Sequence, residues 1–142
     1  MIRIRYTGLT TADLNPEWTA LGELFVHVEA DISIWDGERE LYSEILFPVL
    51  ELASRVHDWT RVDSVDREDF ELDSLSFEET GVVRIVRFGP GWSLGSVHEP
   101  GRWSGRYSLE EVDAAVLPFV RRVRAEAEAK VGIDLSMLFE ES

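Results

Sequence analysis

A serine between glycines is the first place to look for covalent chemistry. Gly91-Trp92-Ser93-Leu94-Gly95 has the G-x-S-x-G spacing of a hydrolase nucleophile elbow. In that elbow a strand precedes the serine and a helix follows it, so that the hydroxyl stands on a strained turn. Here a Gly89-Pro90-Gly91 turn precedes the serine and strand-forming residues follow it. His98 lies too far along an extended chain to take the serine's proton directly. The motif reads as part of a strand. His27, His57 and His98 could join carboxylates around a metal, but none has the spacing that aligns two ligands on one face. Asp63, Asp66, Glu68 and Asp69 lack the alternating ligands and glycine of a calcium loop, and read as a solvated charge run. Glu78-Glu79 could split their pKa values as an acid/base pair if buried, yet they fall in a turn and read as wet. No catalytic, metal or cofactor site is expected.

Charge is the unusual quantity. Twenty-eight acids against fourteen bases give a net −14, and Lys130 is the single lysine. Such a field repels nucleic acid and anionic membranes and speeds encounter with a basic protein. Five tryptophans, Trp18, Trp35, Trp59, Trp92 and Trp103, could supply aromatic anchors. Trp59 fits a helix stripe and belongs to a core. Trp35 falls on the polar side of a hairpin and Trp103 in a loop. With Glu29, Asp31 and Glu44 they form the candidate interface, against the plainer reading that each caps a sheet edge.

The elements that must position these residues are organised around 24–46. Leu24, Val26, Val28, Ala30, Ile32 and Ile34 alternate with polar or aromatic residues, which predicts one strand with an apolar face. Asp36-Gly37 is a type I′ turn pair. Folding back through it pairs Ile32 with Leu41, Ala30 with Ser43 and Val28 with Ile45, and sets Glu29 opposite Glu44. Before the hairpin, Ile2, Ile4 and Tyr6 mark a short strand ended by Gly8. A turn or short helix follows from Pro16, with Trp18 and Leu21 over one end of the sheet.

After it, Pro48 opens a helix with Val49, Leu52, Ala53, Val56 and Trp59 in one stripe. Residues 60–69 form a loop. Strands are expected over 70–77, with either a bulge near Asp73-Ser74 or both faces partly covered, over 82–88 and over 92–98. Ser108 to Glu111 forms a capping box that opens a helix running to about Lys130. Its inner face carries Leu109, Val112, Val116, Phe119, Val120, Val123 and Ala127. Pro118 should kink it, and Gly132 should stop it. The outcome is a single α+β domain over 1–142. It has two layers: a mostly antiparallel sheet of about six strands with two main helices on one face.

Two stretches, Asp73-Ser74-Leu75-Ser76-Phe77-Glu78-Glu79 and Gly91-Trp92-Ser93-Leu94-Gly95-Ser96, with Val83-Arg84-Ile85-Val86 between them, resemble the middle of a family of small actinobacterial proteins of uncharacterised function. That resemblance implies no activity. In size, acidity and layout the chain is also similar, as a class, to immunity proteins of bacterial toxin systems. With no cysteines, no membrane-length apolar run and no signal-like start, the sequence points to the cytoplasm. The reading is a non-enzymatic module that binds a basic protein partner through an acidic surface, and neither nucleic acid nor membrane. The alternatives are a small enzyme or ligand-binding domain with a pocket between helix and sheet, lined by His27, His98 or Glu29, and a homo-oligomer subunit.

Overall fold

The computed structural model describes residues 1–14 and 20–139. Trp18 and the turn or helix expected from Pro16 lie outside the described residues, as does the side chain of Leu21. The order is β1 (Ile2–Thr10), α1 (Leu21–His27), β2 (Glu29–Asp36), β3 (Arg39–Phe47), α2 (Val49–Thr60), β4 (Phe70–Glu71), β5 (Arg84–Phe88), β6 (Gly91–Gly95) and α3 (Leu109–Val131). A 3-10 turn at Ser136–Leu138 follows. The fold is α+β, but the strands form two three-stranded antiparallel sheets, β1-β2-β3 and β4-β5-β6, and not one sheet of six.

The expected long ribbon is shorter than the pattern suggested, because residues 21–27 are helical. Positions 24 and 28 satisfy both a period of two and a helical i, i+4 step. Phe25 breaks the tie. A strand would turn it away from Leu24, whereas Leu24, Phe25 and Val28 are all buried, as on one helix face. From Glu29 onward the strand reading holds, and Ala30, Ile32 and Ile34 are buried.

The hairpin register differs from the expected one. Asp36 pairs with Arg39, so the two-residue loop is Gly37-Glu38, with Gly37 at φ +62°. Trp35 pairs with Glu40 and Ile34 with Tyr42, which leaves Leu41 as an extra residue on β3. Ile32 pairs with Glu44 and Ala30 with Phe47, so a second extra residue lies between 44 and 47. Each bulge turns the side chains after it to the other face. The shifted register puts Ile45, expected in the core, in solvent, and the second bulge leaves Leu46 exposed and sends Phe47 into the core. Glu29 lies opposite Thr10, not Glu44, and β1 continues through Gly8 to Thr10.

The second sheet is smaller than expected. Only Phe70 and Glu71 of 70–77 form a strand, because the next segment bonds to a helix instead. Glu51, fully buried in α2, accepts from the Ser74 hydroxyl and from the Leu75 amide at 3.0 Å. Strand β6 ends at Gly95, three residues short of His98, and continues only as an isolated Ser96–Glu99 bridge.

Both expected long helices are present. Ser108 and Glu111 complete the capping box of α3, and Gly132 closes it at φ +78°. Val112, Val116, Phe119, Val120, Val123 and Ala127 are buried on its inner face, with Pro118 in the interior of the helix. Helices α2 and α3 pack on each other, α3 also meets β1 and β6, and α2 meets β2. Tyr6 stands edge-on to Phe119 at 6.0 Å and donates to Glu126 at 2.9 Å. One continuous set of buried residues draws on both sheets and all three helices.

The charged loop 60–69 is pinned from within. Buried Arg67 donates to the Thr60 and Val62 carbonyls and to both Asp113 oxygens at 2.7 and 3.0 Å, with its guanidinium 4.7 Å from the Trp59 ring. Trp59 Nε1 donates to the Glu68 carbonyl at 2.7 Å. Replacing Arg67 with methionine keeps much of the volume and orphans two carbonyls and a half-buried carboxylate. We expect a loss of about 3 kcal/mol in urea unfolding. Asp113→Asn in that background should add little, since the partners act as one unit.

Candidate interaction surface

The hairpin tip is tied to the rest of the chain by one carboxylate. Asp36, with its side chain 14% exposed, accepts from the Gly105 amide at 2.7 Å, from the Tyr107 hydroxyl, and from the Met1 ammonium at 3.2 Å. Burial alone pushes its pKa up, but these donors outweigh it and the carboxyl sits below its ordinary range. The same bond, with burial, pushes the Tyr107 hydroxyl up to about 12. Arg39 donates to the Trp103 carbonyl. The tip is thereby docked on residues 103–107.

Trp103 is an inward anchor of that loop. Its ring lies against Gly95, where an added Cβ would stand 2.8 Å from the indole. Arg84 lies 4.4 Å from its centroid and Phe88 meets it edge-on at 5.1 Å. Trp103 thus covers the outer face of β5-β6, and the loop presents no free aromatic there. Trp35 is half-buried on the outer face of the first sheet, and its Nε1 is buried without a hydrogen-bond partner among the described residues. That face also carries Arg3 opposite Trp35, Arg5 opposite Ser33 and Thr7 opposite Asp31. It is mixed in charge, not uniformly acidic.

The remaining candidates gather elsewhere. Glu29 stands at the far end of β2 from Trp35, ~20 Å away at strand rise. There it is half-buried, and burial, aided by the charge of Asp13, raises its pKa. Asp31 is exposed and accepts from the Leu46 amide at 3.1 Å. Glu44 is half-buried and accepts from the Tyr42 hydroxyl at 3.3 Å. Asp31 and Glu44 therefore flank the second bulge, with Trp35 at the other end of the hairpin and Trp103 on the other sheet.

Sequence reasoning missed what lies at that bulge. Leu46 has φ +49°, the one positive φ outside glycine among the described residues. For an L-residue without a short polar side chain this left-handed backbone costs about 1 kcal/mol. Leu46 is 54% exposed and Ile45 70% exposed, so burial returns nothing for that strain. The signal was legible in principle. Ile45-Leu46-Phe47 are three apolar residues in a row at a strand end, and a regular strand cannot turn all three inward.

The other chemical candidates resolve into structure. Ser93 is buried in mid-strand and donates to the Gly105 carbonyl at 3.3 Å, a geometry opposite to an exposed elbow. His27 lies 3.4 Å from Glu23, and His98 3.4 Å from Glu79. His57 stands edge-on to Phe139 at 5.5 Å. Glu78 and Glu79 are exposed. Among the described residues no group of three His, Asp or Glu side chains is placed to hold a metal, and no helix is long and apolar enough to cross a membrane. A cleft of about 380 Å³ lies between β1 and α3, lined by Met1, Ile2, Tyr107, Glu111, Ala114 and Ala115. His27, His98 and Glu29 take no part in it.

Residues 6–129 match the family of the domain of unknown function DUF7878, and the chain belongs to that family. No curated protein and no solved structure is detectably similar to it.

The Asp36 junction has a pH signature. A depressed folded-state pKa contributes stability that is present above the unfolded value of about 4 and is lost as pH falls through the folded one. Asp36→Asn should cost about 2 kcal/mol at neutral pH, and the gap to wild type should close on acidification below about pH 4. Chemical denaturation across pH measures both.

Proposed function

We propose that the protein is a non-enzymatic binding module that engages a basic protein partner through its acidic surface, in the manner of an immunity protein. The observation that carries this reading is the unequal use of its charges. Arg55, Arg67, Arg84, Arg87, Arg122 and Arg124 each lie with the guanidinium over an aromatic ring, at 4.4 to 5.4 Å from its centroid. These arginines serve packing as much as charge balance. Of the described acids only Glu51 is buried. The net charge of −14 therefore lies almost entirely at the surface, where its field attracts cations and raises the rate of encounter with a basic protein.

A second reading, a ligand-binding domain, is favoured by the cleft between β1 and α3, whose apolar wall of Ile2, Ala114 and Ala115 faces the Tyr107 hydroxyl and the Glu111 carboxylate. The two separate experimentally. Affinity capture followed by reconstitution with the purified partner should give a basic protein whose association rate falls steeply with added salt. A partner bound equally well at all salt concentrations, or one that is itself acidic, contradicts the binding-module reading. Loss of binding on Ala114→Trp, which fills the cleft, supports the second.

A further inference from the structure

Apolar exposure, backbone strain and a predominance of acidic charge coincide at the corner where β3 turns into α2. Ile45 and Leu46 project there at 70% and 54% exposure, and Leu75 at 61%. Leu75 is brought to this corner by two contacts. Its amide is held by Glu51 in the first turn of α2, and Phe77, two residues on, packs on Phe47 at 5.6 Å between ring centroids. The fold leaves all three side chains exposed on the segments that meet at this corner.

Charge around these side chains is predominantly negative. The three chain segments that build the corner, 28–38, 40–54 and 68–83, contain no lysine or arginine. They contribute Asp31 and Glu44 beside the bulge, and Asp73, Glu78 and Glu79 on the loop that carries Leu75, all exposed or half-buried. Two bases border the corner: His98, set against Glu79 at 3.4 Å, and Arg55 of α2, which lines a cleft with Glu71 and Asp73 and lies over the Phe25 ring. Arg3 and Arg5, on the same sheet, sit on β1 beyond β2 from this corner.

We infer that this corner is a docking site for an amphipathic basic segment of another protein, with its apolar side chains on Ile45, Leu46 and Leu75 and its arginines or lysines on the surrounding carboxylates. The inference rests on the binding-module reading and names the surface used. Complementarity of charge fixes the class of partner. A second copy of this chain carries the same −14, and a twofold contact would press one acidic rim against the other. The strained leucine supports a use of the side chain itself. An asparagine or glycine would satisfy the left-handed backbone at lower cost, so what leucine adds at this position is apolar surface for a partner.

Three synthetic peptides test this by fluorescence anisotropy and amide chemical-shift mapping. They are a helix with leucines on one face and arginines on the other, an arginine-glycine peptide without apolar residues, and the leucine helix with glutamates for arginines. The first should bind, with shifts centred on 44–47 and 73–79. The second should bind at least about tenfold more weakly and the third not at all. Leu46→Asn should lose about tenfold in affinity for the first peptide while its thermal midpoint stays level or rises. Val65→Thr, at an exposed apolar residue of the charged loop 60–69, should change neither. Binding that maps to that loop and survives Leu46→Asn overturns the corner and leaves the binding-module reading standing. Failure of both basic peptides to bind overturns the two together. Concentration-dependent self-association abolished by Leu46→Asn overturns the heterologous partner in favour of a second copy.

Discussion

A carboxylate taken out of water needs donors, and in this protein that need decides the shape of half the fold. Glu51 lies in the first turn of α2 with no solvent access, so its carboxylate must find donors inside the protein. The Ser74 hydroxyl and Leu75 amide supply them. The backbone at 73–75 then faces α2, so the pairing with the β5 segment, which runs on to the Leu72 amide and the Val83 carbonyl at 2.9 Å, goes no further. The loop released from pairing then folds Phe77 back onto Phe47 and closes the seam between β3 and the second sheet.

Aromatic rings and arginines do the remaining joining. Trp92, on the core face of β6, meets Trp59 of α2 edge-on at 5.6 Å, and Arg67 and Arg87 lie over these two rings. On the opposite face of that sheet Trp103 occupies the space left by Gly95, with Arg84 over it. A guanidinium keeps its charge when it stacks, so these arginines pack on rings and also pair with acids, as Arg67 does with Asp113 and Arg124 with Glu128. Packing and electrostatics are linked in this way.

The legible parts of this fold were those set by local rules. The capping box, the glycine stop and the inner face of α3 needed only residue spacing, and so did the stripe of α2. What escaped was decided at a distance. Leu24 and Val28 fit two periods, and the packing of Phe25 against the core chose the helix. The Asp-Gly pair did mark a two-residue loop, but Asp36 is claimed by Gly105 and Tyr107, so the loop moved one residue onward. Nothing in their local sequence marks Glu51 and Arg67 as buried, because their partners, Ser74 and Asp113, lie far along the chain. The candidate interface separated for the same reason. Trp103 is consumed by a glycine whose role is visible only once the sheet is formed, while Asp31 and Glu44 stay together because one bulge holds both.

A bulge with acids on an edge strand has a second physical meaning. Irregular, charged edges keep sheets from pairing with one another, and β3 is an edge of its sheet. That account explains the bulge and the carboxylates, and it fails at Ile45 and Leu46. A strand protected against association presents lysine, proline or inward charge at its margin. This one turns two aliphatic side chains outward, beside a third from a neighbouring loop, and accepts a strained backbone to do so. The surrounding fold holds the strained backbone, here through the Asp31 carboxylate on the Leu46 amide, and leaves the side chain turned to solvent. On the proposed reading, protection of the edge and recognition of a partner are one device. The acids that discourage a second copy would then select a basic segment, and the bulge that interrupts pairing would turn the apolar side chains toward it.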